Sequence, residues 1–323
     1  MSAARRFSSP RKPRAVLPGD IVGVAALSSA VSRQAVDAGV RRLEEYGFRV
    51  RAATNLGEEW QGFAGRDQAR LAGFHELVAA PEVKAIIFAR GGHGVLRILP
   101  AIDWELLASS PKAYVGYSDV VPLLLQIVTR LRLVCFHGPM VATDLAVPLG
   151  ADERRSLLDA LAGKLEREIP CECASGVRTM VGPLLGGCLA MLVSTLGTPW
   201  FPCLDGSLLF LEDTNEPLYR IDRMLTQLEL SGRVRRVKGM ILGHLGEAER
   251  VAGGACAGDL GGEDGARVWR RLTEQPIGGE ARRIMAWNLP CGHGRPNLTL
   301  PLGATARLDA DTGTLVVDDV PEV

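Results

Sequence analysis

The sequence predicts an α/β protein with two parts: an N-terminal α/β domain on a parallel sheet and a C-terminal domain with a mixed β-sheet. Three observations lead there. From Val16 to about Leu165, short continuously apolar runs alternate with amphipathic segments, the pattern of strands buried on both faces beneath helices. After Pro148 this alternation gives way to one helix, a polar connector and a second set of strands. The chain has 323 residues, 47% of them hydrophobic and 23% charged, which is enough for two cores of ordinary size.

Residues 1–15, MSAARRFSSPRKPRA, are basic and polar and are expected to form a disordered tail. They lack the apolar core of a secretory signal, and Pro10 and Pro13 interrupt an amphipathic transit helix. Residues 16–165 form the first domain. Ile21 to Ala26 is its first strand, with Ser28 and Ser29 as candidate helix caps. Ala35 to Tyr46 is a helix closed by Gly47, and Phe48 opens a second strand. A helix is expected over Arg66 to Val78, with Leu71, Phe74, Leu77 and Val78 inward. A third strand runs over Lys84 to Ala89 and a fourth over Ala113 to Gly116, the latter leading into an apolar helix through Val128. Asp152 to Leu165 reads as an amphipathic helix and residues 166–180 as a linker. The second domain, 181–323, opens on a strand at Met180 to Gly182, a turn at Gly186-Gly187 and a strand over Ser207 to Leu211. A helix over Tyr219 to Leu230, a strand over Gly239 to Gly243 and β-structure at Ala304 to Leu308 and Thr314 to Val317 complete it. Gly246 to Gly265, glycine-rich and acidic, reads as a mobile surface loop.

Composition removes several function classes. With 37 basic and 37 acidic residues the chain has no electrostatic footprint for nucleic acid or an anionic membrane. No apolar run approaches the ~20 residues of a membrane helix. Seven scattered cysteines without paired CxxC spacing fit reduced thiols and a cytoplasmic location, and no histidine pair has zinc spacing.

Four patches could carry chemistry. In Gly116-Tyr117-Ser118-Asp119 a serine stands at a strand-to-helix turn, where its hydroxyl is exposed and helix N-terminal amides are near. Val120 replaces the second glycine of a nucleophile elbow, and Ser118 or Asp119 could instead simply cap the helix. Arg90-Gly91-Gly92-His93-Gly94 follows a strand and frees backbone N–H groups for a ligand, or is only a tight turn. Glu212, Asp213 and Glu216 cluster after a strand; Glu212 sits at its end, while Glu216 could serve the next helix N-terminus. His293 lies between Gly292 and Gly294, an accessible setting that suits a base. His137, at the end of an apolar strand, and His244 read more simply as structural histidines.

In this order along the chain, these patches resemble the LD-carboxypeptidase family of serine peptidases, which includes murein tetrapeptide carboxypeptidases and microcin C self-immunity peptidases. The resemblance opens at Leu17-Pro18-Gly19-Asp20 and runs through Phe63 to Asp67, Ala89 to Gly94 and Val115 to Asp119. It continues at Gly186-Gly187, Leu196 to Pro199, Phe210 to Asp213 with Tyr219 to Arg223, and Gly292 to Gly294 with Leu300 to Gly303. It implies Ser118 as nucleophile, His293 as general base and Glu212 as the acid orienting it, with the Gly92 and Asp119 backbone N–H groups as oxyanion donors. It also implies an active site between the two domains and a homodimer, acting on a murein stem tetrapeptide to release terminal D-Ala in cell-wall recycling; the spacing of the residues points to no metal, and no cofactor is expected. Arg90, His93 and Arg295 are candidates for substrate contacts, the arginines for its free carboxylate. Two departures bear on substrate preference: the family more often has tyrosine at His93 and often asparagine at Cys188. One rival is an amidase of the self-immunity type acting on an aminoacyl nucleotide, for which Trp200 and the Gly246 to Gly265 loop would supply a platform and a cover. The other is a non-catalytic small-molecule binding protein in which Ser118 is a cap.

Overall fold

The structure, a computed structural model, describes residues 10–246 and 284–323. In the first part β1 (Ile21–Ala25), α1 (Arg33–Glu45), β2 (Arg49–Ala52), α2 (Asp67–Ala79), β3 (Val83–Phe88), α3 (Val95–Ile98), α4 (Trp104–Ser109) and β4 (Ala113–Gly116) follow one another. A 3-10 turn over Ser118–Val120 leads into α5 (Val121–Gln126), followed by β5 (Cys135–His137) and α6 (Ala151–Leu161). The second part holds β6 (Arg167–Pro170), β7 (Glu172–Cys173), β8 (Met180–Cys188), α7 (Leu189–Ser194), β9 (Leu208–Glu212), α8 (Leu218–Leu230) and β10 (Gly239–Leu242). It ends with β11 (Ile284–Trp287), β12 (Leu300–Leu302), β13 (Thr305–Asp309) and β14 (Thr314–Val317).

The described strands form two sheets. The first has the order β12-β5-β4-β3-β1-β2 and is parallel except for β12, which returns from the C-terminal part to pair antiparallel with β5. In an order 2-1-3-4-5 the direction of strand addition reverses between β1 and β3, the position at which open α/β sheets carry their ligand sites. The glycine loop after β3 lies there. The second sheet has the order β6-β14-β13-β8-β9-β10-β11-β7 and is mixed: β8, β9, β10 and β11 are parallel and the outer strands antiparallel. Both α/β parts are therefore as the sequence predicts. The cores are continuous across the sheets, one apolar cluster joining Phe74, Phe88 and Leu123 to Leu185, Leu209 and Leu242.

Several local expectations change. Ser32, not Ser28 or Ser29, caps α1 by accepting from the Ala35 N–H at 3.2 Å. Residues 10–15 are not a free tail: Arg11 bridges to Leu133 and Lys12 to Glu322, and the Lys12 ammonium donates to Gly163 O and Asp319. Residues 1–9 lie outside the described residues. The linker at 166–180 is also part of a sheet, because β6 pairs with β14 over four residues and buries Ile169. The apolar helix after Ser118 breaks into the 3-10 turn, α5 and a π-turn over Ile127–Leu131. Gly186 and Gly187 lie inside β8 rather than in a turn. A Cβ on Gly186 would fall 1.8 Å from Phe210 O, and one on Gly187 would press into Val121 and His137. These glycines let β8 approach its neighbour and the first sheet closely. The loop expected over Gly246 to Gly265 lies outside the described residues beyond Gly246.

Candidate active site

Ser118 follows β4 with φ of +63°, a left-handed conformation that a non-glycine residue adopts only when its surroundings enforce it. The surroundings are tight. A Cβ on Gly91 would sit 2.7 Å from Ser118 Cβ, 2.8 Å from its Oγ and 3.3 Å from the Asp119 nitrogen, so the bare glycine loop abuts the serine turn. A Cβ on Gly116 would meet Phe88 and Val120, which shows how Val120 is accommodated where an elbow would have glycine. Ser118 does not cap the helix: no side chain caps the turn that begins there. Buried Asp119 does cap, but another helix, because its Oδ2 accepts from the Val95 N–H at 2.9 Å and so anchors the end of the glycine loop at α3.

The loop is braced from β1 as well. Ser29 Oγ accepts from the His93 backbone N–H at 3.2 Å and lies 3.0 Å from His93 Nδ1. Gly92 has φ of +105°, and a Cβ on it would strike Ser29 Oγ. The Gly92 N–H makes no hydrogen bond among the described residues.

Glu212 ends β9 and is completely buried. Its Oε2 lies 2.6 Å from His293 Nδ1 and accepts from the His293 backbone N–H at 3.1 Å. Its Oε1 lies 3.4 Å from Nε2 of buried His137. Burial alone pushes this carboxyl upward, yet the charge of His293 and the hydrogen bonds from His137 and His293 outweigh it and hold Glu212 at about 2. Burial likewise works against a charged His293, and Glu212, with help from Asp213 and Asp144, overcomes it and raises the imidazole above its usual value. The flanking glycines are there for contact rather than flexibility. Gly292, at φ +115°, leaves room for the Glu212 carboxylate, and a Cβ on Gly294 would lie 2.5 Å from the His244 ring. The Tyr117 ring, one residue before Ser118, meets the His293 ring edge-on at 4.8 Å between centroids, and its hydroxyl donates to Asp144 at 3.3 Å.

The fold thus brings together the serine turn after β4, the glycine loop after β3, the acid at the end of β9 and a histidine in the loop before β12. A profile of LD-carboxypeptidase N-terminal domains matches residues 22–138, and one of LD-carboxypeptidase C-terminal domains matches residues 181–308. The chain belongs to the LD-carboxypeptidase family. It is 34% identical over 320 residues to a probable murein peptide carboxypeptidase of Bacillus subtilis, covering 97% of this chain and 96% of that one. It is 26% identical over 335 residues to a microcin C7 self-immunity protein of Escherichia coli, covering 93% and 94%. A solved muramoyltetrapeptide carboxypeptidase from Oxalobacter formigenes superposes with a TM-score of 0.80 at 28% identity, covering 93% of this chain and 99% of that one. This LD-carboxypeptidase is a serine-type carboxypeptidase.

The other candidate residues of this LD-carboxypeptidase divide. Glu216 makes no hydrogen bond or ion pair with a histidine among the described residues and pairs with Arg220 at 3.1 Å along the first turn of α8, whose N-cap is Pro217. Arg295 is held at 2.8 Å by Glu153, which is itself buried, and lies 3.9 Å from Asp144, so it braces the His293 loop rather than standing free for a carboxylate. Arg90 donates to Ala30 O at 3.1 Å, tying its loop to the one after β1. His93 is exposed, and its ring lies tilted by 52° against the Phe63 ring at 4.6 Å between centroids. Cys188 is buried with its thiol 3.8 Å from Asp213, whose carboxylate also accepts from Ala190 N–H at 2.8 Å and is pushed up by burial to about 6. His244 Nε2 lies 3.1 Å from Pro296 O. His137, at the C-terminal end of β5, is buried beside Glu212, a neighbour that no local pattern in the sequence shows. No group of three or more metal-binding side chains suited to an ion occurs among the described residues, and no helix among them is long and apolar enough to cross a membrane.

Proposed function

We propose that this enzyme hydrolyses the LD-peptide bond of a peptidoglycan stem tetrapeptide and releases the terminal D-Ala, with Ser118, His293 and Glu212 acting as a triad in cytoplasmic cell-wall recycling. The hydrogen bond of 2.6 Å between His293 Nδ1 and buried Glu212 carries the reading, with the ring of Tyr117, the neighbour of Ser118, meeting His293 edge-on at 4.8 Å and Ser118 held at φ +63°. A serine hydroxyl is a weak nucleophile until a base removes its proton, and the base needs an orienting, charge-compensating partner. With Nδ1–H committed to Glu212, the other ring nitrogen of His293, Nε2, is the one available as base. Ser118 Oγ attacks the scissile carbonyl and passes its proton to that nitrogen. The Gly92 and Asp119 N–H groups receive the developing oxyanion, and the imidazolium protonates the leaving amine of D-Ala. Water then attacks the acyl-serine with His293 again as base. The names of the Bacillus subtilis and Oxalobacter formigenes relatives support a murein peptide as substrate.

Similarity to the self-immunity protein supports a second reading, cleavage of an aminoacyl nucleotide by the same machinery. The Trp200 ring, the candidate platform for a nucleobase, stacks on Trp104 at 6.2 Å and is covered by the Arg130 guanidinium at 4.6 Å, which favours the peptide. Stem tetrapeptide, stem tripeptide and an aminoacyl-sulfamoyl nucleoside, each incubated with enzyme and with its Ser118→Ala variant, separate these readings by the mass of the released products. D-Ala from the tetrapeptide alone, lost by at least ~10³-fold in the variant, is the expected result. Turnover by Ser118→Ala near that of the parent overturns the triad.

A further inference from the structure

We propose that His137 is a positioning residue of this site: its Nε2–H holds Oε1 of Glu212, so that the other oxygen stays turned to His293. The inference rests on the triad reading and adds a fourth member to it, contributed by the first sheet.

A carboxylate has two oxygens, and one buried away from water needs donors on both. Glu212 Oε2 has two, the ring and backbone N–H of His293. Oε1 has one among the described residues, His137 Nε2 at 3.4 Å. An ionised carboxylate only accepts, so Nε2 must carry the hydrogen, and a neutral ring then leaves Nδ1 bare. Nδ1 of His137 is indeed buried without a hydrogen-bond partner. A histidine kept only for packing would be expected to satisfy both nitrogens, or to be replaced by an apolar ring. This one leaves a nitrogen unpaired and spends the other on Glu212.

The ring has little freedom to turn away. The Tyr117 ring lies 5.5 Å from it, the Phe210 ring stands edge-on at 5.2 Å, and a Cβ on Gly187 would come within 3.2 Å of its Cδ2. Its backbone pairs with Gly116 on one side and Leu300 on the other. The N–H is therefore fixed by β4, β5 and β12 and aimed at the end of β9, across the junction of the two sheets. Held at both oxygens, the carboxylate cannot rotate about its terminal bond while His293 gains and loses its proton. The donor also shares the negative charge, which keeps the proton on His293 rather than on Glu212 when the imidazolium forms.

The consequence for pH has a definite sign. Among the described residues, His293 is faced by Glu212 and Asp213 from the end of β9, by Asp144 after β5 and by Tyr117 after β4, with Arg295 on its own loop. Removing the His137 donor leaves the Glu212 anion less compensated, so it holds the imidazolium more strongly and His293 gives up its proton at higher pH.

Two measurements on the full-length enzyme test this. In ¹⁵N-histidine-labelled wild-type enzyme, His137 should carry hydrogen on Nε2; an Nδ1–H tautomer with a bare Nε2 overturns the proposal. His137→Phe keeps an aromatic ring and removes the donor, whereas the amide of His137→Gln can still donate. His137→Phe should lower kcat by about 10–100-fold with KM changed little, and move the acid limb of the kcat profile to higher pH. His137→Gln should recover most of the rate and return the limb toward wild type. A wild-type rate and an unmoved limb in His137→Phe, or a loss in His137→Gln as large as in His137→Phe, refutes it. If His137→Phe does not fold, the wild-type tautomer decides. Failure of the triad reading would show separately, as turnover by Ser118→Ala, whatever the state of His137.

Discussion

Replacing Glu212 by Gln removes one charge from a site with no solvent to compensate it. The carboxyl is held at about 2 against an ordinary 4.5, so its anion is favoured by roughly 3 kcal/mol net of burial, through the two histidines that face it. If that stabilisation is lost where His293 becomes an imidazolium, kcat falls on the order of 10²-fold. The amide adds a second penalty. Its oxygen can keep the His293 donors, but its NH₂ then faces the His137 N–H, and turning it the other way disfavours the Nδ1–H tautomer that His293 needs. A wrong tautomer is worth up to ~10⁴-fold in such triads, so the expected loss in kcat lies between about 10² and 10⁴, with KM little changed. The acid limb should also move to lower pH, because the charge that raises His293 has gone. The assay is D-Ala release from the stem tetrapeptide across the pH profile, with folding checked by circular dichroism. Glu216→Gln is the control: its exposed pair with Arg220 is worth ~0.3–0.5 kcal/mol, so the melting temperature should fall slightly and kcat stay within a few-fold. A Glu212→Gln enzyme within tenfold of wild type, or an acid limb that does not move, refutes the reasoning.

Gly91→Ala should lower kcat by at least ~10²-fold without unfolding the chain, because the new methyl would displace the Ser118 hydroxyl and the Asp119 amide; an unchanged rate would mean that this loop does not border the reacting groups. Glu212 also makes acid stability predictable. Its folded value lies below its unfolded one, so its contribution is present above about pH 4.5 and is lost as pH falls toward 2. Asp213, raised to about 6, has the opposite sign and regains stability below pH 6, offsetting part of the loss. The urea midpoint should therefore drop less between pH 4.5 and 2 in Glu212→Gln than in wild type, and parallel curves would contradict this. Dialysis against EDTA should leave D-Ala release unchanged, since Glu212 already takes both nearby histidines as hydrogen-bond donors; a loss restored by zinc would make those three side chains ligands.

The amino-acid sequence by itself determined the elements and the chemical vocabulary of the site. The apolar runs at β1, β3 and β4 are strands because only a sheet covered on both faces buries every residue of such a run, and all four residues of β4 are buried. Ser118 falls in a turn because the apolar run ends at Gly116, and Glu212 closes β9 because a charge ends the run Leu208 to Leu211. What no local pattern carries is who meets whom. The strand order that reverses beside the glycine loop, the return of β12 to the first sheet and the β6–β14 pairing join segments far apart in the chain. The glycines at 186, 187, 292 and 294 read as turns or flexible joints, yet each is defined by an atom of another segment pressing where a Cβ would be. His137 shows the limit most clearly. Strand periodicity places it at a sheet edge, but its partner Glu212 lies 75 positions away and His293 another 81 beyond that. Hydrophobic period and turn chemistry act over a few residues, whereas a hydrogen bond to a buried carboxylate exists only once two sheets have packed and excluded water between them.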